Sequence, residues 1–175
     1  MKKSILIIFA VALLFGCNKN ESTTGFTGDG YKPVYISADE AFIITASSPT
    51  ALKDPGKMYL FNNQIYITDK GLGVHIIDNS NPAVPKKLKF ISIPGVKDVV
   101  VKNGILYGDN LTDLVAIDIS DLSNITVKKR LKDIYPEEDQ YYPQAVSNYF
   151  ECVDPSKGLV LRWEKTHIEN AKCYR

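Results

Sequence analysis

Gly73-Val-His-Ile-Ile-Asp-Asn-Ser-Asn-Pro82 is an apolar strand, Val74–Ile77, closed by an Asp and a polar turn. The same design returns as Asp113-Leu-Val-Ala-Ile-Asp-Ile-Ser-Asp121. Strands apolar at nearly every position belong where neighbouring sheets cover both faces. The Asp that ends each one, Asp78 or Asp118, is placed to accept a backbone N–H two residues on as an Asx-turn. The chain then reverses without orphaning a donor.

Around the first copy the punctuation is regular. Lys57–Phe61 reads as a strand, Asn62-Asn63 as a turn, Gln64–Thr68 as a second strand, and Lys86–Ile93 as a strand after the quoted stretch, with Pro94-Gly95 ending the unit. Asp98–Lys102 restarts the cycle. Asn103-Gly104 follows as a two-residue hairpin, since both residues accept positive φ. Ile105–Gly108, Leu114–Asp118 and Ile125–Leu131 complete it. Tyr66 aligns with Tyr107, a shift of 41, and Asp78 with Asp118, a shift of 40. Four short strands at this period look like a propeller blade. The expected fold is therefore all-β, a partial β-propeller of two four-stranded blade-like repeats over residues 57–95 and 96–135. Closed propellers need about four blades, so the open blade edges call for cover. The N-terminal segment, residues 141–173 or another subunit could supply it.

The N-terminus carries an address. Lys2 and Lys3 precede an unbroken apolar run, Ile5 to Phe15, of eleven residues. That is too short to span the roughly 30 Å hydrocarbon core as a helix and fits the h-region of a signal peptide. Leu14-Phe15-Gly16-Cys17 resembles the lipobox of bacterial lipoproteins. The resemblance implies cleavage after residue 16 and lipidation of Cys17, and several acyl chains make a stable anchor. Asn18 stands where an Asp would favour inner-membrane retention, so the expected location is the outer membrane or cell surface of a Gram-negative cell. Residues 17–30 read as a flexible tether. Removal of Lys2 and Lys3 takes the basic count from 21 to 19 against 20 acidic residues, a net charge of −1. With no basic face, nucleic acid is not an expected partner.

Residues 31–56 form an N-terminal extension. Tyr31–Ile36 is extended, and Ser37-Ala-Asp-Glu40 matches a capping box that predicts a short helix over Ala38–Ile44. In the C-terminal segment, residues 136–175, Asn148–Val153 and Gly158–Thr166 read as strands about the turn Asp154–Gly158. After Cys17, the two remaining cysteines, Cys152 and Cys173, invite a disulfide outside the cytoplasm. That bridge would staple the hairpin and contribute roughly 3 kcal/mol. A metal site would need further ligands, and only His167 offers one nearby.

Val74-His-Ile-Ile-Asp-Asn-Ser80 and Leu114-Val-Ala-Ile-Asp-Ile-Ser120 resemble the LVIVD repeat of predicted propellers in bacterial surface and secreted proteins. The resemblance covers roughly residues 57–135. The blocks Tyr31–Ile36, Asn79–Pro85 and Cys152–Trp163 look like lipoproteins of this type from the Bacteroidetes. This implies a fold and an address rather than an activity.

No catalytic constellation stands out. His75 lies inside an apolar strand where the second repeat has Val115, and His167 is near the terminus; neither belongs to a triad. Asp69, Asp78, Asp109, Asp113, Asp118 and Asp121 are turn-forming carboxylates without calcium-loop spacing. Gly71-Leu-Gly73 lacks the third glycine of a phosphate cradle. The aromatics Tyr135, Tyr141, Tyr142, Tyr149, Phe150 and Trp163 are the binding candidates, with Tyr141, Tyr142 and Trp163 foremost. Aromatic platforms beside carboxylates suit sugar rings, and loops on a rigid scaffold commonly carry function. The expected role is a membrane-anchored binding or interaction module without cofactor or metal, taking a glycan or a surface protein. The alternatives are a fragment of a longer surface propeller, or a hydrolase or lyase on a propeller scaffold, which would gather its carboxylates in one pocket.

Overall fold

The computed structural model describes residues 25–144 and 147–175. The expected signal segment and Cys17 lie outside them. The described residues form three sheets, two of them built by the repeats.

In the first repeat β3 (Pro55–Phe61), β4 (Gln64–Asp69), β5 (Gly73–Asp78) and β6 (Lys86–Ser92) form an antiparallel meander. In the second, β7 (Val99–Lys102), β8 (Ile105–Asn110), β9 (Asp113–Asp118) and β10 (Thr126–Leu131) do the same. The expected turn chemistry is present. Asn62 and Asn63 turn the first hairpin at φ 48° and 58°, and Asn103 and Gly104 the second at 51° and 74°, the left-handed pair that a two-residue hairpin requires. Asp78 Oδ1 accepts from the Ser80 N–H at 2.8 Å and Asp118 Oδ1 from the Ser120 N–H at 3.0 Å. The Ser120 hydroxyl and the Lys128 ammonium add to this and hold the Asp118 carboxyl down at about 2.

The two meanders pack face to face. Tyr66, Val74 and Ile76 of the first share one core with Leu106, Val115 and Ile117 of the second. The Tyr59 hydroxyl crosses to the Val101 carbonyl at 3.2 Å, and Lys57 pairs with Asp98. The described residues do not close a ring of blades.

The flanks depart from expectation in four places. The first sheet has five strands, because β2 (Thr45–Ser47) pairs with β6 and covers that edge. The helix α1 spans only Ala38–Ala41. Its N-cap forms as expected, with the Glu40 N–H donating to Ser37 Oγ, while the Glu40 carboxylate accepts from the Ser37 hydroxyl in place of the backbone N–H that completes a capping box. The β-branched Ile43, Ile44 and Thr45 then return the chain to extended backbone. The segment read as a tether to Gly30 is already a strand from Phe26: β1 (Phe26–Ile36) pairs with β12 (Leu159–Ala171) from Phe26↔Ala171 to Ile36↔Leu159.

The C-terminal strands form no hairpin. β11 (Tyr149–Phe150) and β12 are separated by β1, which runs parallel to β11 and antiparallel to β12. Cys152 and Cys173 are bonded as expected. The bridge joins the end of β11 to β13 (Cys173–Tyr174), its antiparallel neighbour, rather than the two arms of a hairpin.

Candidate functional site

Two equivalent latches shape the loop end of the repeats. In the first, the Lys53 and Asp54 N–H groups donate to the Asp69 carboxylate at 3.0 and 2.7 Å. In the second, Lys97 and Asp98 donate to Asp109 at 3.0 and 2.9 Å. The same Lys-Asp dipeptide thus precedes the first strand of each repeat, pinned by the Asp that ends or nearly ends the second. The sequence reading missed this, although the repeated dipeptide was its signal.

The two buried carboxylates differ in their charge balance. Burial works to raise Asp69, but the Asp54 and Lys53 amides and the His75 ring, 3.3 Å away, outweigh it and hold the group below its ordinary value. Burial prevails at Asp109 and pushes it up against the Asp98 and Lys97 amides. His75 is fully enclosed, with Phe90 4.7 Å from its ring centre. The His75–Asp69 pair therefore steadies a loop and meets no solute. His167 lies opposite Asp29 in the third sheet, a different sheet from that of the pair. Among the described residues no group of three His, Cys, Asp or Glu side chains gathers to hold a metal.

Against this loop end stands the third sheet. Gly71, in the β4–β5 loop, lies so close to β12 that a Cβ there would be 3.0 Å from the Arg162 Cβ. Between them opens a cleft of about 820 Å³, reached by loops of both repeats and by Tyr31, Trp163 and Lys165 of the third sheet. Its wall carries the pairs Lys57–Asp98, Lys70–Asp54 and Lys97–Asp139. Burial lowers Lys97, with Asp109 opposing. The helix α2 (Glu138–Tyr141) closes one side. Gln140 donates to the Val160 carbonyl and accepts its N–H, each at 2.9 Å, so a side-chain amide extends the edge of β12. The Trp163 indole N–H donates to the Asp139 carbonyl at 2.9 Å.

The three foremost aromatic candidates separate here. Trp163 lines the cleft; Tyr141 and Tyr142 do not. They continue an aromatic chain away from it: Trp163 meets Phe150 edge-on at 5.4 Å, Phe150 meets Tyr142 at 6.1 Å, and Tyr142 neighbours Tyr141 at 6.5 Å with Arg175 over its ring. Tyr149 is on the other side of β11, stacked on Phe26 at 4.3 Å. Tyr135 lines a smaller hollow of about 360 Å³ on the second repeat.

Two stretches of the chain, residues 59–91 and 95–133, match the LVIVD repeat family model. No curated protein and no solved structure matches the chain. The chain thus carries two LVIVD repeats, in the region where sequence resemblance placed them, and each coincides with one meander.

Proposed function

We propose that the protein is a membrane-anchored extracytoplasmic binding module, in which propeller-type LVIVD repeats and the third sheet hold a saccharide-binding cleft between them. The observation that carries this reading is the cleft of about 820 Å³ itself. Its size falls in the range of small-ligand sites, and it is built from loops on a rigid scaffold, where recognition residues concentrate. Trp163 offers an aromatic surface. Five cations line the cleft, Lys57, Lys70, Lys97, Arg162 and Lys165, against three carboxylates, Asp54, Asp98 and Asp139. Arg162 is also paired, with Glu164, so among the described residues Lys165 is the cation of the cleft left to attract an acidic sugar over a neutral one.

Binding fits the site better than catalysis does. Each of the three carboxylates is engaged in an ion pair with a lysine of the cleft wall, and no two of them form the acid–base pair a hydrolase would need. The His–carboxylate pair is sealed in the interior. The test is a glycan array of neutral and acidic oligosaccharides, with Trp163→Ala and Lys165→Glu as controls. Acidic members should bind, and each substitution should weaken binding at least tenfold. Silence across the array would remove the saccharide reading.

The anchor rests on the lipobox-like Leu14-Phe15-Gly16-Cys17. Cells fed an alkyne fatty acid should label the protein, and Cys17→Ser should lose both the label and the membrane fraction. A labelled Cys17→Ser variant would defeat the assignment.

A further inference from the structure

The two repeats mate through opposite faces, and the faces left open are the counterparts of the pair already mated. Strand pairing fixes the equivalence: Tyr59 opposes Tyr66 as Val100 opposes Tyr107. The first repeat presents its Tyr66 face to the core, with Tyr66 at 2% exposure; the equivalent Tyr107 faces outward at 37%. Conversely, the second repeat presents Val99 and Val101 to the core. Their equivalents Met58 and Leu60 stand outside at 68% and 62% exposure; farther across the same face, through the pairs Met58↔Ile67 and Ile67↔His75, His75 is enclosed beside Phe90, so the open part is the Met58–Leu60 end.

We propose that the open face of the second repeat receives the open face of the first repeat of another copy of this chain, so that copies associate head to tail. Three observations carry this. The joint between copies would continue the joint within the chain, with Met58 and Leu60 taking the places of Val99 and Val101. A receptor already exists, since Val100, Tyr107, Leu114 and Tyr135 line a hollow of about 360 Å³ on the second repeat. Val100 and Tyr107 occupy the positions of Tyr59 and Tyr66, which receive the second repeat inside the chain.

Charge agrees as well. Lys57 and Asp98 hold equivalent positions and pair across the internal joint. At the joint between copies the roles exchange, Asp98 of one copy meeting Lys57 of the next, so opposite charges again face each other. Such a heterologous contact closes into a ring when its rotation permits, and four repeats, two copies, already reach the size of the smallest propellers.

The full chain, purified in detergent, is measured by light scattering that resolves the protein mass, alone and as Leu60→Glu and Val100→Glu. Both positions are exposed, at 62% and 48%, so the variants should fold, and circular dichroism checks that they do. The unsubstituted chain should have a mass of two or more copies. Each variant should be monomeric, since head-to-tail contact needs both faces. An equal mixture of the two should recover a dimer, because each supplies the face the other lacks. A monomeric unsubstituted chain would mean that something other than a second copy covers these faces and would overturn the proposal. An oligomer that survives either substitution, or variants that fail to complement, would overturn it too. Glycan binding is a separate readout, since neither substitution lies in the cleft.

Discussion

Asp69 and Asp109 share one job and carry opposite shifts, set by how far burial outweighs the donors around each carboxylate. Each accepts the two amides of a Lys-Asp dipeptide. Only Asp69 also has an imidazole, and it is held down where Asp109 is pushed up. A lowered carboxyl favours the folded state above its ordinary 3.8, and that contribution is lost as pH falls through the folded value. A raised one does the reverse: its folded form prefers the proton, so stability declines as pH climbs from 3.8 to the folded value. Carboxyl carbon NMR titration should place Asp109 above 3.8 and Asp69 below it. The reverse order would show that burial does not govern this pair. Asp118 gives a sharper case. Its midpoint should lie at about 2, held there first by the Ser120 hydroxyl, then by the Ser120 amide and Lys128. Ser120→Ala should raise that midpoint toward 3.8, and an unchanged titration would refute the hydroxyl's part.

Elements divide by how far along the chain their partners lie. The meanders were legible because each strand pairs with the next through turns whose residue types announce them, Asn62-Asn63 and Asn103-Gly104 above all. The third sheet was not. Phe26-Thr-Gly-Asp-Gly30 has the composition of a linker, and it becomes a strand only because β12, well over a hundred residues away, pairs with it. Periodicity reveals that a segment is extended but not which strand it joins, so β11 and β12 read as a hairpin while β1 separates them. The cleft was hidden for the same reason, with only Trp163 legible as a candidate, because three distant segments meet to form it. The disulfide needed only the cysteine count. β11 and β13 are two residues each, too short to hold by pairing alone, so the bridge between positions 21 apart carries this edge. Reduction should lower unfolding free energy by about 3 kcal/mol through the freedom returned to the unfolded chain. Urea titrations with and without reductant measure it. Hydrogen exchange should quicken first at Tyr149, Phe150 and Tyr174, and a loss below about 1 kcal/mol would argue against that account.

Across the whole molecule, one buried polar hub ties the N-terminal segment to both repeats. Asn110 is fully buried; its amide donates to the carbonyls of Ala41 at 2.9 Å and Pro94 at 2.6 Å, joining α1 to the link between repeats. Arg130 on β10 donates to Asn110 Oδ1 at 2.7 Å, to Asp113 at 2.8 Å and to the Phe42 carbonyl at 2.9 Å, and lies over the Phe42 ring. Among the described residues no buried side-chain polar atom lacks a partner, the condition under which a buried network specifies one arrangement. Arg130→Met keeps much of the side-chain volume but strips the Asp113 carboxylate, itself 5% exposed, of its cation. Leaving a buried charge uncompensated costs about 3 kcal/mol or more. The double variant Arg130→Met/Asp113→Asn removes the stranded charge, so it should be more stable than Arg130→Met alone. Urea unfolding of the four proteins in the cycle measures the coupling directly. If Arg130→Met costs less than about 1 kcal/mol, or if the second substitution only adds to the loss, the three segments are held together by apolar packing and the hub is incidental.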